Sequence, residues 1–167
     1  GIIVETEAYQ SINDKASHAY LNKKTNKNEM MYLDGGVAYV YICYGIHSLF
    51  NIVTNRQNIA DAILIRAIEP INGIEIMQKR SSKKNIFNLG SGPGKLSISL
   101  GININSNGEK LNNNKIWIEE TKDAQYYQVV SGKRIGIDYA GSDSDLPWRF
   151  YIKNNQYIVI RLNHLLI

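Results

Sequence analysis

A chain of 167 residues that is 44% hydrophobic and 20% charged has ordinary globular composition and enough length for one well-buried core, so one domain is expected. Lysines and arginines number 19 against 15 acids, and the resulting formal charge of +4 favours polyanionic partners without the density of a disordered basic tail. The only cysteine, Cys43, excludes an intrachain disulfide and a cysteine-based metal site and points to a reducing compartment, and the most apolar window, Val37 to Val53, falls short of the roughly 20 apolar residues of a membrane helix.

The first nine residues, Gly1 to Tyr9, read as a strand, with Ile2, Val4 and Ala8 pointing one way and Glu5, Glu7 and Tyr9 the other. A strand with one packed face holds a carboxylate rigidly enough to aim at a single water, which is the requirement of a general base. Spacing does not choose between Glu5 and Glu7, and two solvated surface acids fit the same pattern. Because the chain opens directly in a strand and no signal peptide is recognisable, it is expected to lack the N-terminal residues of a longer protein. Ser17-His18 follows, and the polar segment from Gln10 to Glu29 carries Lys23, Lys24 and Lys27 in a basic loop, either solvated or touching phosphate.

Asp34-Gly35-Gly36 predicts a turn, and Val37 to Tyr44 a strand with Tyr39 and Tyr41 on one face. A second strand, Ser48 to Thr54, completes a β-hairpin with Tyr44 and Ile46 at its tip. Such a tip either folds into the core or meets something apolar, for instance the gap between stacked base pairs. Asp61 to Glu69 reads as a central strand ended by Pro70, with Arg66 alone in an apolar run. A buried guanidinium needs a carboxylate, and Glu7 is the natural candidate; the other reading is an exposed strand edge.

Ile71 to Arg80 predicts a helix. Ser91-Gly92-Pro93-Gly94-Lys95-Leu96 combines a capping serine, an early proline and a lysine before a short helix ending near Leu100, a terminus suited to phosphate. Its spacing is not that of a nucleotide-binding P-loop. Gly101 to Asn114 is turn-prone, while Lys115 to Glu119, Lys133 to Ile137 and a last segment from Tyr157 to Leu162 predict strands, the last reached through Pro147 to Ile152.

Together these strings resemble the alkyladenine (3-methyladenine) DNA glycosylase family. The resemblance covers Ile3 to Tyr9, Ser17-His18, Thr25 to Tyr32, Tyr39 to Asn51, Leu64 to Pro70, Ser91 to Leu96, Arg134 to Gly141 and Arg149 to Tyr151. It implies a mixed α/β (α+β) fold: a single domain over residues 1–167 with a curved, mainly antiparallel sheet, flanking helices and a protruding β-hairpin. It also implies a monofunctional enzyme of base excision repair that flips alkylated purines such as 3-methyladenine out of damaged double-stranded DNA and hydrolyses their N-glycosidic bond.

By the same resemblance Glu7 is the general base, and Arg66 and the Ile135 carbonyl hold its water. Tyr9, His18, Tyr41 and Asn51 contact the flipped base, and Asn51 obstructs the 2-amino group of guanine. Tyr44 fills the vacated space, and Lys95 with Gly94 meets phosphate. Lys24 and Lys27 stand where the family often has arginines, which keeps phosphate contact without bidentate geometry, and Ile46 departs from the usual pattern. No metal, cofactor or Schiff-base lysine is implied, and no general acid is evident. The expected protein is a cytoplasmic monomer without membrane association, nucleoid-associated if bacterial. The alternative is a non-catalytic nucleic-acid-binding module that keeps the basic face and the hairpin.

Overall fold

The computed structural model describes residues 1–120 and 126–158. Four long strands come early, β1 (Ile2–Tyr9), β2 (Ala38–Cys43), β3 (His47–Val53) and β4 (Ala62–Glu69). Three helices follow, α1 (Ile74–Ser81), α2 (Phe87–Gly90) and α3 (Pro93–Leu100), and then two short strands, β5 (Val129–Gly132) and β6 (Arg149–Ile152). All six strands join one open sheet in the order β2-β3-β4-β1-β6-β5, every neighbouring pair antiparallel. This is the α+β fold expected from the sequence, with β4 central and the β2-β3 hairpin at one edge.

Period-two alternation sorts the strand residues to two faces. Ala38, Val40, Phe50 and Ile65 build a core with Leu89 of α2 and Leu96 of α3, both fully buried. Burying a leucine side chain contributes roughly 1.5–3 kcal/mol, so this layer supplies much of the driving force for the sheet-helix packing. Tyr39, Val53 and Ala62 face the opposite way and pack with Ala19, Met31 and Tyr32 of the long segment between β1 and β2. One sheet face is thus closed by helices, and the other is only partly covered.

The sheet departs from the simple alternation at one place. Ile3 opposes Ile68, Glu5 opposes Ala67 and Thr6 opposes Ile65, so Val4 and Arg66 each lack a partner in the register. A bulge on both strands restores the pairing beyond it but changes which residues share a face. Ile3 joins the helix-side core, whereas Val4 packs with Ala67 and Tyr157. Ile2 and Val4 therefore share a face as expected, whereas Ala8, beyond the bulge, stands opposite Ile63 of the helix-side core and leaves that group. The same bulge sets Arg66 beside both Glu5 and Glu7.

Other expectations also change. Ser91 is not the cap of α3: Gly92 occupies that position with no side-chain cap, and Ser91 is buried in a bridge to Ala67. The backbone there lies so close to β4 that a Cβ on Gly90 would stand 1.9 Å from the Ile68 carbonyl oxygen, so only glycine fits. Lys115 to Glu119 contributes only an isolated bridge, Trp117 with Asn112, and Lys133 to Ile137 is an irregular bend following β5. Tyr157 lies in a turn, and 159–162 of the last expected strand fall outside the described residues. Helix α1 starts at Ile74, after Gly73 in the left-handed region, rather than at Ile71.

The basic segment is folded rather than loose. It makes two 3-10 turns, Tyr20–Asn22 and Glu29–Tyr32, pinned by the buried side chain of Asn28. Asn28 accepts the Thr25 N–H at 2.7 Å and donates to the carbonyls of His18 and Lys23, both at 2.9 Å. No helix among the described residues is long and apolar enough to cross a membrane.

Candidate active site

The partly covered sheet face forms a cleft of about 1080 Å3, whose walls include Tyr9, His18, Tyr41, Asn51, Arg66 and Ile135. These six residues, spread over more than a hundred positions in sequence, are brought together by β1 to β4, the segment between β1 and β2, and the bend after β5.

Glu7 lies one hydrogen bond behind that wall and has no exposed surface. Its Oε2 accepts the Tyr9 hydroxyl at 2.9 Å and Arg66 Nη1 at 3.2 Å, and its Oε1 accepts the Ile135 N–H at 2.7 Å. The solvated-acid reading of this strand is overturned, since Glu5 is also buried. Glu5 meets Arg149 Nε at 2.5 Å and Arg66 Nε at 3.4 Å. Two carboxylates and two guanidiniums thus form one buried network, in which Arg66 bridges the acids. Each charge has an opposite neighbour, which offsets the several kcal/mol that an isolated buried ion would cost.

Aromatic side chains line the cleft above this floor. Tyr39 and Tyr41 stack at 5.6 Å between centroids, and His18 meets Tyr41 edge-on at 4.5 Å. His18 Nδ1 is 2.8 Å from the Tyr39 hydroxyl. Burial raises the pKa of Tyr9, Tyr39 and Tyr41, and at Tyr9 the charge and hydrogen bond of Glu7 add to it, so these three remain neutral donors. Asn51 Nδ2 is used by the carbonyls of Tyr39 at 3.1 Å and Leu49 at 3.3 Å, which fixes the amide in the cleft wall.

Burial lowers the pKa of His18 below its usual 6.5, so the imidazole is neutral at pH 7. A histidine that binds its proton more tightly when unfolded weakens the fold as pH drops; the penalty is absent above 6.5 and grows below it. An imidazole titration followed by NMR should place the His18 midpoint below 6.5. A midpoint at or above that value would contradict its desolvation in the cleft beside Tyr41.

The hairpin tip is exposed, with Tyr44 at 87% and Ile46 at 74% accessibility, so it is not folded into the core. Tyr44 adopts a left-handed φ of 50° and Gly45 one of 73°, a costly conformation for a bulky residue. Lys27 lines the cleft, whereas Lys24 packs over Tyr32 at 5.3 Å and Lys95 reaches Asn88 at 3.2 Å, both outside it. Gly94 backs onto the His47 ring, where an added Cβ would stand 2.9 Å away.

Tyr39, Arg149 and the buried pair Asp14–Arg134 escape a reading of the sequence alone, while Glu5, weighed there beside Glu7, proves to be the second acid of the network. Only Tyr39 had a signal, its position two residues before Tyr41 on the same strand face. The ion pairs join residues more than a hundred positions apart, and nothing local marks them.

A family model described as methylpurine-DNA glycosylase (MPG) matches residues 1–156. A protein of Alkaliphilus oremlandii named "Putative 3-methyladenine DNA glycosylase" is 46% identical, covering 93% of this chain and 81% of its own length. Proteins of the same name from Natranaerobius thermophilus and Desulfitobacterium hafniense are 45% and 43% identical, with 95% of this chain covered in each and 81% and 82% of the relatives. The class so defined is that of DNA glycosylases, hydrolases of N-glycosyl bonds that act in DNA repair. The chain belongs to the methylpurine-DNA glycosylase family. That membership implies a DNA substrate and does not favour the non-catalytic alternative.

Proposed function

We propose that this protein is a monofunctional 3-methyladenine DNA glycosylase that flips alkylated purines out of damaged double-stranded DNA and hydrolyses their N-glycosidic bond. The observation that carries this reading is the buried Glu7 carboxylate, held by Arg66 and the Ile135 N–H directly behind an aromatic cleft. The relatives' names supply the lesion.

In this reading Glu7 orients and deprotonates the water that attacks the sugar C1′, and its charge stabilises the oxocarbenium-like sugar. Glu7 is sealed in the free protein, so the water reaches it when the Tyr9 hydroxyl leaves Oε2. Tyr9 then turns its face to the purine, opposite Tyr41, and a cationic 3-methyladenine gains from both aromatic faces. The Tyr39 hydroxyl occupies His18 Nδ1 at 2.8 Å and leaves Nε2 to face the base, a donor in the tautomer in which Tyr39 donates. Asn51 guards the cleft wall against the 2-amino group of guanine. The Ile135 carbonyl serves as a further water acceptor, and its N–H restrains Glu7. Flipping costs a few kcal/mol and is cheapest at weakened pairs, so some selectivity arises before the cleft is reached.

Tyr44 is the wedge that fills the space the base leaves, and Lys24, Lys27, Lys95 and the Gly94 backbone meet phosphate. The whole chain serves as one glycosylase domain acting as a cytoplasmic monomer without metal or cofactor. Tyr44→Ala should leave the melting temperature unchanged, because the side chain is exposed, yet weaken binding to lesion-bearing duplex by about 1–3 kcal/mol, the value of one aromatic-base stack. Equal affinity in a fluorescence-anisotropy titration would remove the wedge role.

Single-turnover release of 3-methyladenine from alkylated duplex tests the reading as a whole. Release of free base supports it, and DNA binding without release refutes it.

A further inference from the structure

Outside the network at Glu7, one ion pair among the described residues is fully enclosed: the side chains of Arg134 and Asp14 both have 0% exposure. The guanidinium donates to Asp14 Oδ2 at 2.5 Å and Oδ1 at 2.8 Å, to the Ala8 carbonyl at 2.9 Å and to the Asp143 carbonyl at 3.1 Å. It also lies over the rings of Tyr9 at 4.7 Å and Trp148 at 5.2 Å. Stability does not account for such a pair, since well-packed apolar residues of the same volume serve a core at least as well. What an arginine adds is a rigid planar fork that holds several acceptors in one geometry.

Three of its neighbours adjoin the reacting carboxylate. Ala8 directly follows Glu7 on β1. Ile135, which donates to Glu7 Oε1 at 2.7 Å, directly follows Arg134. Tyr9, whose ring rests on the guanidinium, donates to Glu7 Oε2 at 2.9 Å. A single side chain therefore ties the strand that bears Glu7 to the bend and the phenol that hydrogen-bond its two oxygens.

We propose that Arg134, oriented by Asp14, is a positioning residue that sets the Glu7 carboxylate through the Ile135 N–H and the Ala8 carbonyl. It touches neither base nor sugar. This role rests on the glycosylase reading of Glu7. Its loss lets the carboxylate drift from its aim while the DNA-contacting surface stays intact, so chemistry slows without a change in binding.

The test compares the parent with Arg134→Lys, which keeps the charge opposite Asp14 but cannot fork across both carbonyls. A second variant, Arg134→Gln with Asp14→Asn, removes both charges and leaves no buried ion unpaired. Three quantities are measured for each: the melting transition, the affinity for duplex DNA carrying a reduced abasic site, and the single-turnover rate of 3-methyladenine release at saturating enzyme. The expected result is a folded variant with unchanged affinity and a rate lower by roughly 10- to 100-fold, the scale of a misplacement of about 1 Å. A parental rate in a folded variant overturns the proposal, as does a loss of rate and affinity in parallel. Failure of both variants to fold assigns the pair to structure alone and also overturns it. A parent that binds DNA without releasing base refutes the glycosylase reading itself, an outcome separate from the other three.

Discussion

Glu7→Gln is expected to reduce single-turnover base release by about 100-fold to 10,000-fold, the range over which a positioned general base contributes. That corresponds to about 3–5 kcal/mol of transition-state stabilisation. The substitution is nearly isosteric, and Arg66 keeps a carboxylate neighbour in Glu5 at 3.4 Å, so no buried guanidinium is stranded. The amide offers one acceptor where the carboxylate offers two. Either the Ile135 N–H or the Arg66 contact then faces an NH2 group, at a stability cost of about 1–3 kcal/mol for the donor left unpaired. DNA binding should persist, because Glu7 lies behind the cleft wall and has no exposed surface. A variant that folds, binds and still releases base at the parental rate would move the catalytic role to another carboxylate, and Glu5 is the nearest buried one.

Expectation and structure agree best where sequence periodicity is strong and the elements are long. The hairpin from Ala38 to Val53 and the central strand from Ala62 to Glu69 are rich in branched and aromatic residues, and their alternation between two packed faces leaves little choice of conformation. The short elements were harder to read. Helix α2 has 4 residues and β5 has 4, too few for a period to show, and Val129–Gly132 pairs as it does because β6 lies beside it rather than because of its own composition. Lys115 to Glu119 alternates like a strand but finds only one bridging partner, a case in which tertiary context overrides local preference.

The double bulge at Val4 and Arg66 is the least legible feature of all and the most consequential. No glycine or proline marks it, and it depends on both strands at once. A lone arginine in an apolar run was nevertheless enough to predict a buried carboxylate partner, because the cost of an unpaired guanidinium is large and general. The network beyond that pair, with Glu5, Arg149 and the Asp14–Arg134 clamp, rests on contacts across long stretches of chain that charge and spacing do not reveal.

Arg66→Leu should lower the stability of the fold by about 3–5 kcal/mol, the usual consequence of removing one partner from a buried ion pair. Glu5 retains Arg149 at 2.5 Å, so the loss falls mainly on Glu7, left with the Tyr9 hydroxyl and the Ile135 N–H but no cation. The deficit is read as the difference between the urea midpoints of variant and parent at neutral pH. Equal midpoints would mean that the ion pair contributes nothing to the fold. Adding Glu7→Gln to Arg66→Leu removes the stranded charge and should recover part of the lost stability, a coupling on the order of 0.5–3 kcal/mol for contacting residues. Recovered stability without recovered base release would separate the two uses of the pair: Arg66 keeps Glu7 compatible with the core, and the charge so retained is what the reaction needs.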